Sequence, residues 1–108
     1  MENKMKEINR FTGKLNNHLV NTIPVWNGVQ HLFRFDNGFG ASVIKHDFSY
    51  GGKSGKWELA VIKFKDSVHS KNASWSINTT TKITDDVLGY LNDREVVSIL
   101  RKIKRIVK

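Results

Sequence analysis

The chain has 108 residues, with 18 Lys and Arg against 10 Asp and Glu for a net charge of +8, and it has no cysteine. A length of this order forms one domain with its own core and leaves no room for a second lobe. The lack of cysteine excludes disulfides, thiolate metal sites and a cysteine nucleophile, while the positive excess predicts attraction to polyanions or acidic partners.

The N-terminal MENKMKEINR alternates charge with isolated apolar residues, and no window approaches a membrane-spanning apolar run. A soluble, cytoplasmic protein is expected. Residues 1–28 read as an N-terminal arm, irregular or holding a short helix. Leu15, Leu19 and Val20 hint at a helical turn, whereas Gly13, Asn16, Asn17 and the Ile23-Pro24 step argue against a long one. Trp26-Asn27-Gly28 reads as a turn leading into a single α+β domain over residues 29–108.

Residues 30–35 and 39–46 are two β-prone runs separated by Asn37-Gly38, the pair that suits a type I′ hairpin because both central residues need positive φ. That register sets Asp36 against Phe39, Phe35 against Gly40, Leu32 against Val43 and His31 against Ile44. Phe35 then lies over the bare backbone of Gly40, and Leu32 with Val43 forms an apolar cross-strand pair.

Residues 50–57 read YGGKSGKW and resemble, at first, a phosphate-binding loop. Such a loop needs a glycine five residues before the Gly-Lys pair, a Ser or Thr directly after the lysine, and a following helix. Here Gly55-Lys56 is followed by Trp57, Gly52-Lys53-Ser54 has Asp47 where the first glycine belongs, and a strand comes next. The stretch reads as a flexible hairpin loop between the second and third strands, or else as a loop whose Lys53 and Lys56 touch an acidic partner or a nucleic-acid backbone, with Tyr50 and Trp57 as candidate stacking groups.

WELAVIKF over residues 57–64 is apolar on both faces, with Trp57, Leu59 and Val61 on one and Ala60, Ile62 and Phe64 on the other, as in a central strand. Residues 66–74 read as polar loop, and residues 75–77 as a short fourth strand. In ITDDVLGYL, residues 83–91, Thr84 or Asp85 is placed to cap a short helical turn with Val87, Leu88 and Leu91 inward. Capping also accounts for the adjacent acids Asp85 and Asp86, since a paired-carboxylate catalyst needs acids from opposite walls of a cleft.

Asn92, followed by Asp93 and Glu95, is an N-cap with a capping-box partner, and predicts a helix from 93 to about 107. Val96, Leu100, Ile103 and Val107 form its apolar stripe, flanked by Ile99. Arg94, Arg101, Arg105 and Lys108 fall within about 60° on the opposite side, at 100° per residue. The expected fold is α+β: an antiparallel meander of three or four strands with this amphipathic helix across one face, and Trp57, Leu59 or Val61 packed against Leu100 and Ile103.

His18, His31, His46 and His69 lack the spacing of a preformed metal site and read as half-exposed side chains. No serine sits in a Gly-flanked elbow with His and Asp partners. Neither catalysis nor a metal or cofactor is expected. The candidate binding residues are Arg94, Arg101, Lys102, Lys104, Arg105 and Lys108 on the helix, with Lys53, Lys56 and Tyr50 in the loop. A stripe of this kind suits a phosphate backbone or an acidic protein groove, although cations in a last helical turn also complement the helix dipole and aid solubility.

Taken together, NGVQHLFRFDNGFGASVIKH, SYGG, KWELAVIKF and ITDDVLGYL resemble a family of small proteins encoded in bacteriophage and prophage genomes. The likeness runs from about Asn27 onward. The chain departs from the family pattern in a longer asparagine-rich arm and in the insertion SVHSKNASWSINTTTK. The resemblance implies a phage setting in an infected bacterial host and carries over no catalytic residue. Two functions are expected: a non-catalytic accessory protein acting on nucleic acid or a host nucleoprotein through its basic surface, or a protein-only inhibitor of a host enzyme or defence complex. The second would bind through an apolar strand edge or exposed aromatics such as Phe39, Tyr50 and Trp75.

Overall fold

In a computed structural model, residues 12–65, 74–84 and 86–107 are described. Among these residues a 3-10 turn at Gly13–His18 is followed by six strands: β1 (Leu19–Val25), β2 (Gly28–Arg34), β3 (Phe39–Lys45), β4 (Trp57–Phe64), β5 (Trp75–Ile77) and β6 (Leu88–Leu91). The helix α1 (Asp93–Lys104) closes the order. The fold is α+β, with one antiparallel sheet in the order β1-β2-β3-β4-β5, and β6 pairs with β4 as well. β5 lies beside Ile62–Phe64 and β6 beside Trp57–Leu59, so the two share one edge of β4 end to end.

The sheet is larger than expected because the stretch read as an arm contains β1. Its Leu19, Val20, Thr22, Ile23 and Val25 suit a strand, and Pro24 is tolerated because β1 is an edge. The β1–β2 connection is a two-residue hairpin with Val25 opposite Gly28 and with Trp26 (φ +34°) and Asn27 (φ +60°) both left-handed. This is the type I′ geometry that had been expected at Asn37-Gly38.

At Asn37-Gly38 the turn differs. The Gly38 N–H donates to the Phe35 carbonyl at 3.1 Å, the Phe35 N–H to the Phe39 carbonyl at 2.8 Å, and only Gly38 takes positive φ (+87°). The result is a three-residue loop with a bulge glycine. It shifts the expected register by one residue: Arg34 faces Gly40, Leu32 faces Ser42 and His31 faces Val43. Gly40 makes room chiefly for the Phe33 backbone carbonyl, which a Cβ there would overlap, and next for Phe64 Cε2 at 3.0 Å, rather than for Phe35. The guanidinium of Arg34 lies 4.5 Å from the centre of the Phe64 ring.

The extra turn residue is used by the helix. Asn37 Nδ2 donates to the carbonyls of Ile103 (2.9 Å), Lys104 (3.3 Å) and Ile106 (2.9 Å), while Asn37 Oδ1 accepts the Phe39 N–H at 3.0 Å. A side chain from the β2–β3 turn thus supplies donors to carbonyls at a helix end, where that of Ile103 also accepts the Ile106 N–H at 3.1 Å. At the other end the capping box is complete, with Glu95 N–H donating to Asn92 Oδ1 (2.8 Å) and Asn92 N–H to Glu95 Oε1 (3.0 Å). The indole N–H of Trp57 donates to Asp93 Oδ1 at 2.9 Å.

Between these ties Val96, Leu100 and Ile103 are wholly buried in one cluster with Phe33, Val43, Trp57, Leu59 and Val61. Each such side chain contributes roughly 1.5–3 kcal/mol by leaving water. The helix is shorter than predicted: it ends at Lys104, and Val107, assigned to the apolar stripe, is 89% exposed. The opposite face of the sheet carries a smaller cluster of Leu32, Ile62 and Phe64 with Ile23 and Trp75 against it.

Among the described residues of the segment 83–91 the expected helical turn is not present. Thr84 Oγ1 accepts from the Asp86 N–H (3.0 Å), Asp86 Oδ1 accepts from Val87 N–H (2.8 Å), and the chain then extends as β6. Asp85 lies outside the described residues. An extra residue in β6, between the pairs Trp57–Leu91 and Leu59–Leu88, carries Tyr90 at φ +57°. This bulge lets Leu88 and Leu91 both reach the core, an i, i+3 spacing that imitates a helix.

Asn37→Ala should destabilise the protein by about 1–2 kcal/mol through removal of the donor to these carbonyls. Asn37→Asp should cost more, because a carboxylate would face those carbonyls at the negative end of the helix dipole. Urea unfolding measures both, and parental stability in either variant would show that the turn does not hold the helix end.

Candidate nucleic-acid interface

Arg94, Arg101, Lys102, Lys104 and Arg105 are all exposed; Lys108 lies outside the described residues. At 100° per residue, Arg94, Arg101 and Arg105 point within about 40° of one another and away from Val96, Leu100 and Ile103. At 1.5 Å per residue they span about 16 Å of the helix axis. Lys102 and Lys104 stand to either side. Fixed at both ends, α1 presents these cations on a rigid support.

The YGGKSGKW loop is not a loose connection. The N–H groups of Gly52, Ser54, Gly55 and Lys56 donate to the carbonyls of Ser49, Gly51, Gly52 and Gly51, and the segment includes a 3-10 turn at Gly52–Ser54. These amides are engaged within the loop and form no phosphate cradle. Upstream, Ser49 Oγ accepts the His46 N–H (2.9 Å) and His46 Nδ1 accepts the Phe48 N–H (3.0 Å). The Tyr50 N–H donates to Glu58 Oε1 at 3.0 Å, and the Tyr90 N–H to the Tyr50 carbonyl at 3.2 Å, which ties the loop to β4 and β6.

The loop brings some of the predicted residues together and separates others. Lys56 and Arg94 line one shallow depression with Gly55, Asn92 and Asp93, joining the loop to the start of α1. Lys53 lines a second cleft with Asn27, Lys45 and Asp47. Arg101, Lys102, Lys104 and Arg105 lie toward the other end of the helix, near the Asn37 turn. The candidate set is therefore a strip along α1 that meets the loop at Arg94, rather than one patch.

Several expected contacts are corrected. Trp57, proposed as a stacking group, is fully buried beneath α1, with the Lys45 ammonium 4.2 Å from the centre of its ring. Phe39, proposed as an exposed aromatic, is buried, and Trp75 is half-buried. Tyr50 is exposed as expected. His31 and His46 are buried rather than half-exposed; His31 Nδ1 lies 2.9 Å from Thr22 Oγ1. His18 packs on Phe35 at 4.9 Å between ring centres, and His69 lies outside the described residues. Among the described residues no three His, Asp or Glu side chains are placed to hold a metal ion.

Three exposed aromatics escaped the reading of the sequence: Trp26, Phe48 and Tyr90. The available signal was their setting. Trp26 and Phe48 lie among turn-forming residues, in Trp-Asn-Gly and Asp-Phe-Ser, where no strand or helix face exists to bury them, and Tyr90 follows Gly89 at the bulge of β6.

Fold and surface together describe an α+β domain with a helix docked on one face of an antiparallel sheet and cations along the helix's outer side. Compared with known proteins, the chain matches no family model, no curated protein and no solved structure. Among the described residues no helix is long and apolar enough to cross a membrane.

Gly51 is the residue on which the loop's contact with β6 turns. At φ +87°, an added Cβ would stand 2.9 Å from Lys56 Cβ and 3.0 Å from Tyr90 Cα, whereas Gly55, at φ +74°, faces open space. Gly55→Ala should cost about 1 kcal/mol of left-handed strain. Gly51→Ala should cost roughly 1–3 kcal/mol beyond that, since backbone must move. Equal drops in melting temperature for the two variants would mean that the loop does not pack on β6.

Proposed function

We propose that the protein is a non-catalytic, phage-type accessory protein that binds nucleic acid, or a host nucleoprotein complex, through the outer face of α1. The observation that carries this reading is the exposure of Arg94, Arg101 and Arg105 along one line of a helix held at both ends by the sheet. Cations on a rigid support meet a phosphate backbone without first being ordered, which lowers the cost of binding. The +8 charge supplies long-range attraction.

A second reading, an inhibitor of a host enzyme or defence complex, draws support from the exposed aromatics. Its other footing, strand addition at a sheet edge, is weakened. Among the described residues β1 is an edge interrupted by a bulge and Pro24, and the opposite edge is split into the short β5 and β6.

Arg94, Arg101 and Arg105 replaced together by glutamine should fold as the parent does, because all three are exposed and glutamine is a comparable helix former. On a mixed-sequence duplex, the slope of log affinity against log salt should fall in magnitude by roughly 2.7, at about 0.9 for each phosphate that is no longer neutralised. Lys53→Gln with Lys56→Gln should have a smaller effect on the same duplex. If the helix variant binds as well as the parent at low salt, the stripe is a solvated surface and the reading fails.

A further inference from the structure

Four aromatic side chains stand exposed at one end of the sheet: Trp26 (66%), Phe48 (75%), Tyr50 (59%) and Tyr90 (66%). They come from three segments, the β1–β2 turn, the loop after β3 and the bulge of β6, which hydrogen bonds draw together. The Asp47 N–H donates to the Trp26 carbonyl (3.3 Å) and the Tyr90 N–H to the Tyr50 carbonyl. The Trp26 and Phe48 rings meet edge to face, with centres 5.7 Å apart and planes at 90°, and the Trp26 ring also meets His46 at 5.1 Å. Tyr50 packs over Gly89, where a Cβ would come within 2.5 Å of Tyr50 Cβ.

Folding gains little from these residues in these places. Exposed rings keep most of their apolar area in water. Two of them, Trp26 and Tyr90, also occupy the left-handed region, where a bulky side chain is strained and Asn or Gly would sit more easily. A strained, solvent-facing aromatic is an outlier that points toward a binding role.

The charges around the rings indicate what would bind. Lys53, Lys56 and Arg94 are exposed at this end, and Lys45 lines the cleft with Lys53. Asp47 and Asp93 line the same two clefts and keep their charge, while holding their side chains to the protein: Asp47 Oδ2 accepts from Asn27 Nδ2 at 3.1 Å and Asp93 from the Trp57 indole, as Glu58 does from the Tyr50 N–H. Rings interleaved with cations suit a ligand of alternating flat bases and phosphates. A duplex keeps its bases stacked on one another and offers the rings nothing to stack on.

We propose that this end of the sheet binds single-stranded nucleic acid, with bases stacking on Trp26, Phe48, Tyr50 and Tyr90 and phosphates running past Lys53, Lys56 and Arg94. The strand continues onto the cationic strip of α1 at Arg94. The inference rests on the nucleic-acid reading of that strip and adds the form of nucleic acid it takes.

The test is fluorescence anisotropy with a labelled oligothymidine of roughly 15 nucleotides, near the upper range for a small single-strand-binding domain, and with a mixed-sequence duplex of equal length. Parent protein, Trp26→Asn, Phe48→Ala and the α1 triple glutamine variant are compared. Trp26→Asn and Phe48→Ala should each weaken oligothymidine binding roughly tenfold, the loss expected for one stacked base, and leave duplex binding unchanged. Trp26→Asn should also melt no lower than the parent, because Asn tolerates left-handed φ, so weaker binding by this variant is not misfolding. Oligothymidine should quench tryptophan fluorescence in the parent and much less in Trp26→Asn. If both nucleic acids bind alike, and the aromatic variants bind both as the parent does while the α1 variant weakens both, the stacking site is overturned and the helix reading stands. If neither nucleic acid binds at low salt, both readings fall.

Discussion

The side-chain amide of Asn37 is the contact on which the placement of the helix depends. One residue in a hairpin turn serves two elements at once: its oxygen shapes the turn by accepting the Phe39 N–H, and its nitrogen donates to carbonyls at the end of α1. Burial of Val96, Leu100 and Ile103 sets which face of the helix turns inward, and directional hydrogen bonds add a fixed position along its axis. The amide, together with the Trp57–Asp93 bond at the other end, fixes the helix along its axis. The outward direction of Arg94, Arg101 and Arg105 follows from that docking.

The parts of the fold that were legible beforehand are those whose causes are local. The Asn92–Glu95 capping box lies within four residues and marks the helix start correctly. Strand β4 declares itself by apolar residues on both faces, and its Trp57, Leu59 and Val61 share a core with Leu100 and Ile103 as expected. The helix end was not legible, because its donor comes from a turn more than sixty positions away in the chain. Asn37-Gly38 does mark a turn. Its geometry could not be inferred from propensity, since the Asn side chain is committed to the helix and only Gly38 is left-handed. That difference of one loop residue is enough to shift every cross-strand pair by one.

The candidate site divides in the same way. Cations on a helix face are seldom buried, so the α1 strip could be placed from spacing alone, and the structure finds its described members exposed. Aromatics are ambiguous, because their burial depends on where the chain folds back. Trp57 and Phe39 went inward beneath or beside the helix, while Trp26, Phe48 and Tyr90 were left outside by turns and a bulge. Leu88 and Leu91 show the matching error for secondary structure, since a bulged strand reproduces the spacing of a helical turn.

The meander has a kinetic side. Each of its first three strand pairings joins segments adjacent in the chain, so the sheet can be built by closing short loops. Seating α1 is different: with β4 in place it still brings Asp93 back to Trp57 over 36 residues of chain, a larger entropic step than a hairpin turn. Until that step is complete, Phe33, Val43 and Leu59 face solvent on an open sheet, the kind of surface through which partly folded chains associate. Helix docking therefore sets how long a newly made chain is exposed to aggregation, and Asn37 takes part in the contact that ends that interval.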